Sequence, residues 1–273
     1  MLHSGWQAIR PGKVPAWLQD LEPLTTGLLG QADLKLWCVE EKAALGIRAG
    51  GVIYPVWLES AETNLEAGAR PVLDRVGAVW CLMGPAAWVQ RTEALMPPSR
   101  VQRRVLYDFL AKPTSTPPLP AGLGEPRPAG PADAERLFPL QEAYEKEEVL
   151  FDSSEFHPLA SRVHWSQALR QQEMVALWEN DQPVAKAGTN ALTPRWAQIG
   201  GVFTVPGRRG QGLQRRLMAY FLGRLANQGR GACLFVKKGN EPALGLYRTL
   251  GFQFRGDFLI TYGERRAWGR GLQ

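Results

Sequence analysis

At 273 residues, 45% hydrophobic and 21% charged, the chain has the length for two domains and the composition of a soluble globular protein. No apolar run approaches the roughly 20 residues that span a bilayer, and Met1 to Trp17 holds no apolar core of signal-peptide length, so a cytoplasmic protein without a membrane partner is expected. Three cysteines (Cys38, Cys81, Cys233) in apolar runs and only three histidines give no disulfide framework, no nucleophile–base pair and no metal centre, so the thiols read as buried.

In chain order, residues 1–15 carry Gly5, Pro11, Gly12 and Pro15 and read as an extended lead-in. Trp17, Leu18, Leu21, Leu24 and Leu28 have helical spacing, interrupted at Pro23. Residues 34–40 alternate as a strand, and 45–57 hold one or two more around Gly50-Gly51. A helix is predicted over 62–75 and a buried strand over 76–83. Gly84-Pro85 opens a helix to Leu95, and a strand follows over 101–110. Strands alternating with helices predict an α/β domain over residues 1–111. The prolines between Lys112 and Pro131 predict a semi-rigid linker, 112–126, with Glu125–Ala129 as the first strand of a second domain, 127–273.

In that second part, Pro131 to Glu135 opens a helix that continues through Leu137, Leu140 and Tyr144. An acidic stretch, Glu145 to Asp152, separates it from a helix over 158–172. A hairpin turns at Asn180-Asp181, and a strand over 196–205 meets the turn Pro206-Gly207-Arg208-Arg209-Gly210-Gln211-Gly212. A helix follows, with Leu213, Leu217, Tyr220, Phe221 and Leu225 on one face, then a buried strand over 233–236 and a further helix through Tyr247. Residues 252–254 and 258–262 read as two closing strands, and 263–273 as a basic tail.

Strand, glycine turn and helix start aim several backbone N–H groups and the positive end of a helix dipole at one spot, where the arginines add full charge. Such a site suits a pyrophosphate. It is not a Walker loop, because Gly212 is followed by Leu213 and Gln214 rather than Lys and Ser/Thr. It also lacks the third glycine of the dinucleotide fingerprint. Charge agrees: residues 1–126 hold 12 Lys/Arg and 12 Asp/Glu, 127–181 hold 5 and 11, and 182–273 hold 15 and 3. Arg208, Arg209, Arg215 and Arg216 cluster at the turn, so a small anion is favoured over nucleic acid as their partner.

Arg209-Gly210-Gln211-Gly212-Leu213-Gln214 resembles the acetyl-CoA loop of the GCN5-related N-acetyltransferases, Arg/Gln-x-x-Gly-x-Gly/Ala, departing at Gln214 where that family has a small residue. Downstream, Asn240-Glu241-Pro242-Ala243 through Tyr247 to Gly251-Phe252 is similar to the family's Asn-x-x-Ala-x-x-x-Tyr-x-x-x-Gly-Phe helix. The resemblance covers Arg127 to Tyr262 and implies a mixed α/β sheet of the acyl-CoA N-acyltransferase fold. It implies a smaller α/β domain before it, either a degenerate copy of that fold or a structural lid or dimerisation unit.

The resemblance also implies function: acetyl-CoA as co-substrate, no metal, and direct transfer of an acetyl group to a primary amine. The acceptor would be a small-molecule amine or a protein lysine. Val205, Arg208, Arg209, Gly210, Gln211, Gly212 and Leu213 would hold the pyrophosphate, and Phe203, Thr204 and Val205 would run beside the pantetheine arm. Asn240 would cap the next helix or touch the cofactor. Tyr247 would be a cofactor contact and the general acid, its phenol being protonated at neutral pH, or else a core anchor. Glu147, Glu148 and Asp152 are the acidic candidates for a general base. They equally suit a solvated helix end or a surface attracting a cationic acceptor. The alternative reading is an inactive CoA-binding regulatory or sensor module.

Overall fold

The computed structural model describes residues 6–10, 13–30, 33–39, 42–48, 51–58, 64–75, 79–95, 101–122 and 124–263. The chain forms two compact units, one of Met1–Leu110, Phe235–Glu241 and Phe254–Gln273, the other of Ala111–Leu234 and Pro242–Gln253.

The first unit contains β1 (Gln7–Ile9), α1 (Ala16–Asp20), α2 (Thr26–Leu29), β2 (Leu34–Val39), β3 (Ala43–Arg48), β4 (Val52–Trp57), α3 (Asn64–Arg75), β5 (Cys81–Pro85), α4 (Ala86–Glu93) and β6 (Val101–Lys112). Its strands run in the order β1-β2-β3-β4-β5-β12-β6, where β12 is Gln253–Gly263. β2 to β4 are antiparallel, β4 and β5 parallel, and β12 antiparallel to β5. Successive residues of a strand face opposite ways. Leu45, Ile53 and Trp57 therefore join Leu65, Leu73 and Val89 of α3 and α4, while Tyr54 and Val56 join Leu18 and Leu28 of α1 and α2. Helices cover both faces, as the alternation of elements predicts. The helical spacing over 15–29, interrupted at Pro23, is two short helices, because Pro23 has no N–H to continue the ladder. The two closing strands expected after Phe252 are one, β12. Residues 76–78, Gly50 and the tail beyond Gly263 lie outside the described residues.

The second unit begins with β7 (Glu125–Ala129), the edge strand placed there by sequence, whose prolines suit an edge. A 3-10 turn, Pro131–Asp133, leads into α5 (Ala134–Tyr144), and α6 (Pro158–Gln171) follows. The hairpin β8 (Met174–Glu179) and β9 (Gln182–Leu192) turns at Asn180 and Asp181, both at positive φ (46° and 63°), a conformation Asn and Asp tolerate. β10 (Trp196–Thr204), α7 (Leu213–Asn227), β11 (Gly231–Lys237) and α8 (Glu241–Thr249) complete it. The strand order is β11-β10-β9-β8-β7, all antiparallel except the β10–β11 pair. α5 lies on β9, β10 and α6, while α7 lies on β8, β9 and β10. Leu217, Met218, Phe221 and Leu225 are the buried stripe of α7, and Leu137, Phe138, Trp165, Leu169, Ala176 and Trp178 form the core under α5 and α6.

Candidate active site

The turn after β10 is a 3-10 segment, Pro206–Arg208, closed by Arg208 N–H to Val205 O (2.8 Å) and Arg209 N–H to Pro206 O (3.3 Å). Gly210 and Gly212 then both take φ +76°. Gly212 is the N-cap of α7 in the left-handed region, and no side chain caps the helix. The first-turn N–H groups of α7 have no intrahelical acceptor and carry the helix's partial positive charge. A Cβ on Gly210 or Gly212 would meet nothing within 4 Å, so the glycines leave open space above these donors. An uncapped helix start beneath open space, flanked by two arginines, fits a pyrophosphate.

Both arginines are engaged within the unit. Arg208 reaches back to Glu179 at the end of β8, its Nη2 2.9 Å from Oε1 and its Nη1 also bonded, while its Nε donates to Gln211 Oε1 at 3.0 Å. This fork ties the turn to the sheet. Arg209 donates Nε to the Thr204 carbonyl (3.1 Å) and pairs through Nη2 with Glu147 (2.8 Å), and Glu147 holds its guanidinium above its ordinary pKa. Thr204 Oγ1 donates to Gln214 Oε1 at 2.9 Å, linking the end of β10 to the first turn of α7. The Gln214 amide nitrogen is buried without a hydrogen-bond partner. At the position where the sequence departs from the resembled loop, the structure thus holds an unspent donor.

β10 changes partners along its length. Its parallel pairing with β11 is registered at Trp196, Ala197 and Gln198, opposite Gly231, Ala232 and Cys233. Against β9, Gly200 faces Gly188 and Phe203 faces Lys186, so Gly201 and Val202 oppose the single residue Ala187. That is a β-bulge, and Gly201 occupies it at φ +62°. Across three strands Phe203, Lys186 and Ala176 stand opposite one another and share one face. Lys186 is 2% exposed. Its Nζ donates to the Gly201 carbonyl (2.9 Å) and lies 4.4 Å from the ring centroid of Tyr144 and 5.6 Å from that of Trp165. Burial pulls the amine down to about 7, with Glu145 opposing.

The acidic stretch opens with a π-helical turn, Glu145–Val149, directly after Tyr144 at the end of α5; π turns concentrate at functional sites. Tyr144 stands edge-on to Phe203 (6.3 Å, 71°). Tyr247, on α8, is 6% exposed and edge-on to Phe252. Burial raises its phenol above the ordinary range, and the charges of Tyr144 and Glu148 push the same way. Tyr247 therefore keeps its proton and lies within electrostatic reach of Glu148.

Of the residues singled out by sequence, Phe203, Thr204, Arg209 and Glu147 are joined by direct contacts, and Glu148 is coupled to both Arg209 and Tyr247. Val205 accepts from Arg208 at the turn and donates its N–H to Val184 O (3.0 Å), and Gly210 to Leu213 form the uncapped helix start. Asn240 immediately precedes α8, its backbone N–H donating to Lys237 O at 3.1 Å. Asp152 instead caps the 3-10 turn Ser153–Glu155 through the Ser154 N–H (2.8 Å). Sequence reading passed over Lys186 and Tyr144. The available signal was a lone lysine among small apolar residues, Val184-Ala185-Lys186-Ala187-Gly188, in a strand with a buried pattern.

Among the described residues no group of His, Cys, Asp and Glu could hold a metal ion, and no helix is long and apolar enough to cross a membrane. The sequence model of the acetyltransferase (GNAT) family matches residues 138–252. No curated protein sequence matches the chain. Among solved structures, the GCN5-related N-acetyltransferase from Sphaerobacter thermophilus superposes with a TM-score of 0.58 at 16% identity, covering 97% of this chain and 98% of that one. The GCN5-related N-acetyltransferase from Kribbella flavida gives 0.57 at 16% identity, with 92% and 96% covered. The acetyltransferase of the GNAT family from Colwellia psychrerythraea gives 0.56 at 12% identity, with 95% and 99% covered. At these identities the likeness is one of fold alone.

Proposed function

We propose, from the premise that residues 138–252 belong to the acetyltransferase (GNAT) family, that this chain moves an acetyl group from acetyl-CoA to a primary amine. The observation that carries the reading is the uncapped start of α7, left open at Gly210 and Gly212 and flanked by Arg208 and Arg209. Its donors would hold the pyrophosphate.

Bound acetyl-CoA would supply an activated thioester carbonyl. The chain's own residues supply orientation and protons. Phe203 to Val205 would line the pantetheine arm, with the backbone of β10 past its last registered pair with β11 offering hydrogen bonds. Tyr247 holds a proton on its phenol at neutral pH and would donate it to the departing sulfur. Glu148, whose charge acts on Tyr247 and Arg209, would take a proton from the amine, with Glu147, paired with Arg209, as the other candidate. The test is release of free thiol from acetyl-CoA in the presence of a lysine peptide, spermidine and an aminoglycoside in turn.

A second reading, a CoA-binding module without catalysis, is favoured by the Arg209–Glu147 pair, which occupies one of the candidate bases. It expects acetyl-CoA binding with no amine-dependent thiol release.

A further inference from the structure

A lysine with 2% exposure is costly. Its stem cannot carry the nitrogen to water, and an apolar residue of similar volume would spare the desolvation. The surroundings of Lys186 are arranged for its nitrogen nonetheless. The faces of Tyr144 and Trp165 attract a cation. The Gly201 carbonyl, in the residue that β10 inserts against β9, is taken out of the regular ladder and needs a donor. A Cβ at position 201 would lie 3.2 Å from the Lys186 nitrogen, so a side chain there would push on the clamp, and φ +62° itself favours glycine.

We propose that Lys186 is a positioning residue for acyl transfer: its nitrogen clamps the Gly201 carbonyl and so fixes the bulge that sets the aim of β10 from Val202 to Thr204. Lys186 does this from the position directly opposite Phe203, so it governs both ends of the bulge. An ammonium and a neutral amine both have an N–H to donate, so the clamp holds in either protonation state. Glu145 and Tyr144 on the α5 side and Trp165 on α6 are the groups that face it. The residue touches no reacting atom; it acts through the backbone of β10. This inference rests on the acetyl-transfer reading for its catalytic consequence and on the geometry alone for the clamp.

The test compares wild type with Lys186→Met, which keeps the volume and removes the donor. Two readouts are taken: amide hydrogen exchange at residues 201–204, and the kinetics of thiol release from acetyl-CoA with the lysine peptide. The expected result is a folded variant in which these amides exchange about 10-fold faster or more. Its kcat falls roughly 10- to 100-fold while KM for acetyl-CoA moves less than about 3-fold, as displacement of a positioning element by about an ångström would give. Gly201→Ala, which strains the same bulge from the other side, should give the same pattern. It carries the test if Lys186→Met fails to fold, and the double variant should be no worse than the poorer single. Wild-type exchange at 201–204 overturns the clamp, and faster exchange with wild-type kcat overturns the positioning role. If wild type itself releases no thiol, the acetyl-transfer reading falls and the clamp is decided by exchange alone.

Discussion

Arg209 and Glu147 form an ion pair, 2.8 Å between Nη2 and Oε1, that joins the turn opening α7 to the π turn closing α5. Both side chains are about half exposed, at 45% and 41%, and pairs of this kind contribute about 0–1 kcal/mol. Its importance is therefore one of competition, since the guanidinium wanted by a pyrophosphate is already held by a carboxylate. Arg209→Ala should weaken acetyl-CoA binding about 10-fold with little change in Tm. Glu147→Ala should leave Tm unchanged and tighten acetyl-CoA about 2- to 5-fold by freeing the guanidinium. A loss of kcat without tighter binding would instead make Glu147 the base. Calorimetric titration and steady-state kinetics on the two variants separate these outcomes.

Tyr247→Phe removes one buried hydroxyl and leaves the ring against Phe252. If the phenol is the proton donor, kcat should fall about 100-fold with KM for acetyl-CoA near wild type. A kcat within about 3-fold of wild type would return Tyr247 to the role of core anchor. Glu148→Gln should lower kcat at neutral pH by about 100-fold. A kcat within about 3-fold of wild type assigns the proton acceptor elsewhere.

Lys186 links stability to pH. Its amine is held at about 7 in the folded chain against an ordinary 10.5. Between those values the unfolded chain binds a proton that the folded chain does not, so stability rises with pH through this window and the full penalty applies below about 7. The gap in stability between wild type and Lys186→Met should shift in favour of wild type by on the order of 1–2 kcal/mol between pH 6.5 and 8.5. Cys38 and Cys81, pushed up to about 12 by burial, act only as pH passes their ordinary 9, with the opposite sign, and are common to both proteins. A pH-independent gap would contradict the depressed amine. Thermal melts of both proteins across the range measure it.

Gly212→Ala puts a side chain where φ is +76° but where nothing crowds a Cβ. The cost is conformational, about 1 kcal/mol in stability, and should be accompanied by weaker acetyl-CoA binding as the first-turn donors of α7 shift. Unchanged affinity in calorimetry would detach the glycine loop from cofactor binding.

Much of the second unit is legible in sequence because its signals are local. Glu125–Ala129 is the strand expected at the end of the proline-rich stretch, α6 begins at Pro158 as expected, and Asn180-Asp181 marks the hairpin. The glycine turn announces itself through Gly210 and Gly212. What the sequence does not disclose is register. The bulge at Gly201 exists only as a mismatch between β9 and β10, and the Lys186–Gly201 bond joins residues 15 apart across it. The Arg209–Glu147 pair spans 62 residues, and no local periodicity encodes a contact of that separation. The interruption at Pro23 is legible because a missing N–H is a local signal, whereas the ends of α1 and α2 on either side of it are not.

The most direct measurement is thiol release from acetyl-CoA by the 273-residue chain, followed with and without each amine of the panel and paired with mass detection of the acetylated amine. Saturable release that depends on an amine, with an equal amount of acetylated product, is the expected result. Tight acetyl-CoA binding without product from any amine would contradict the enzyme and leave a CoA-responsive module. Absence of binding would contradict both and return the glycine loop to a purely structural role.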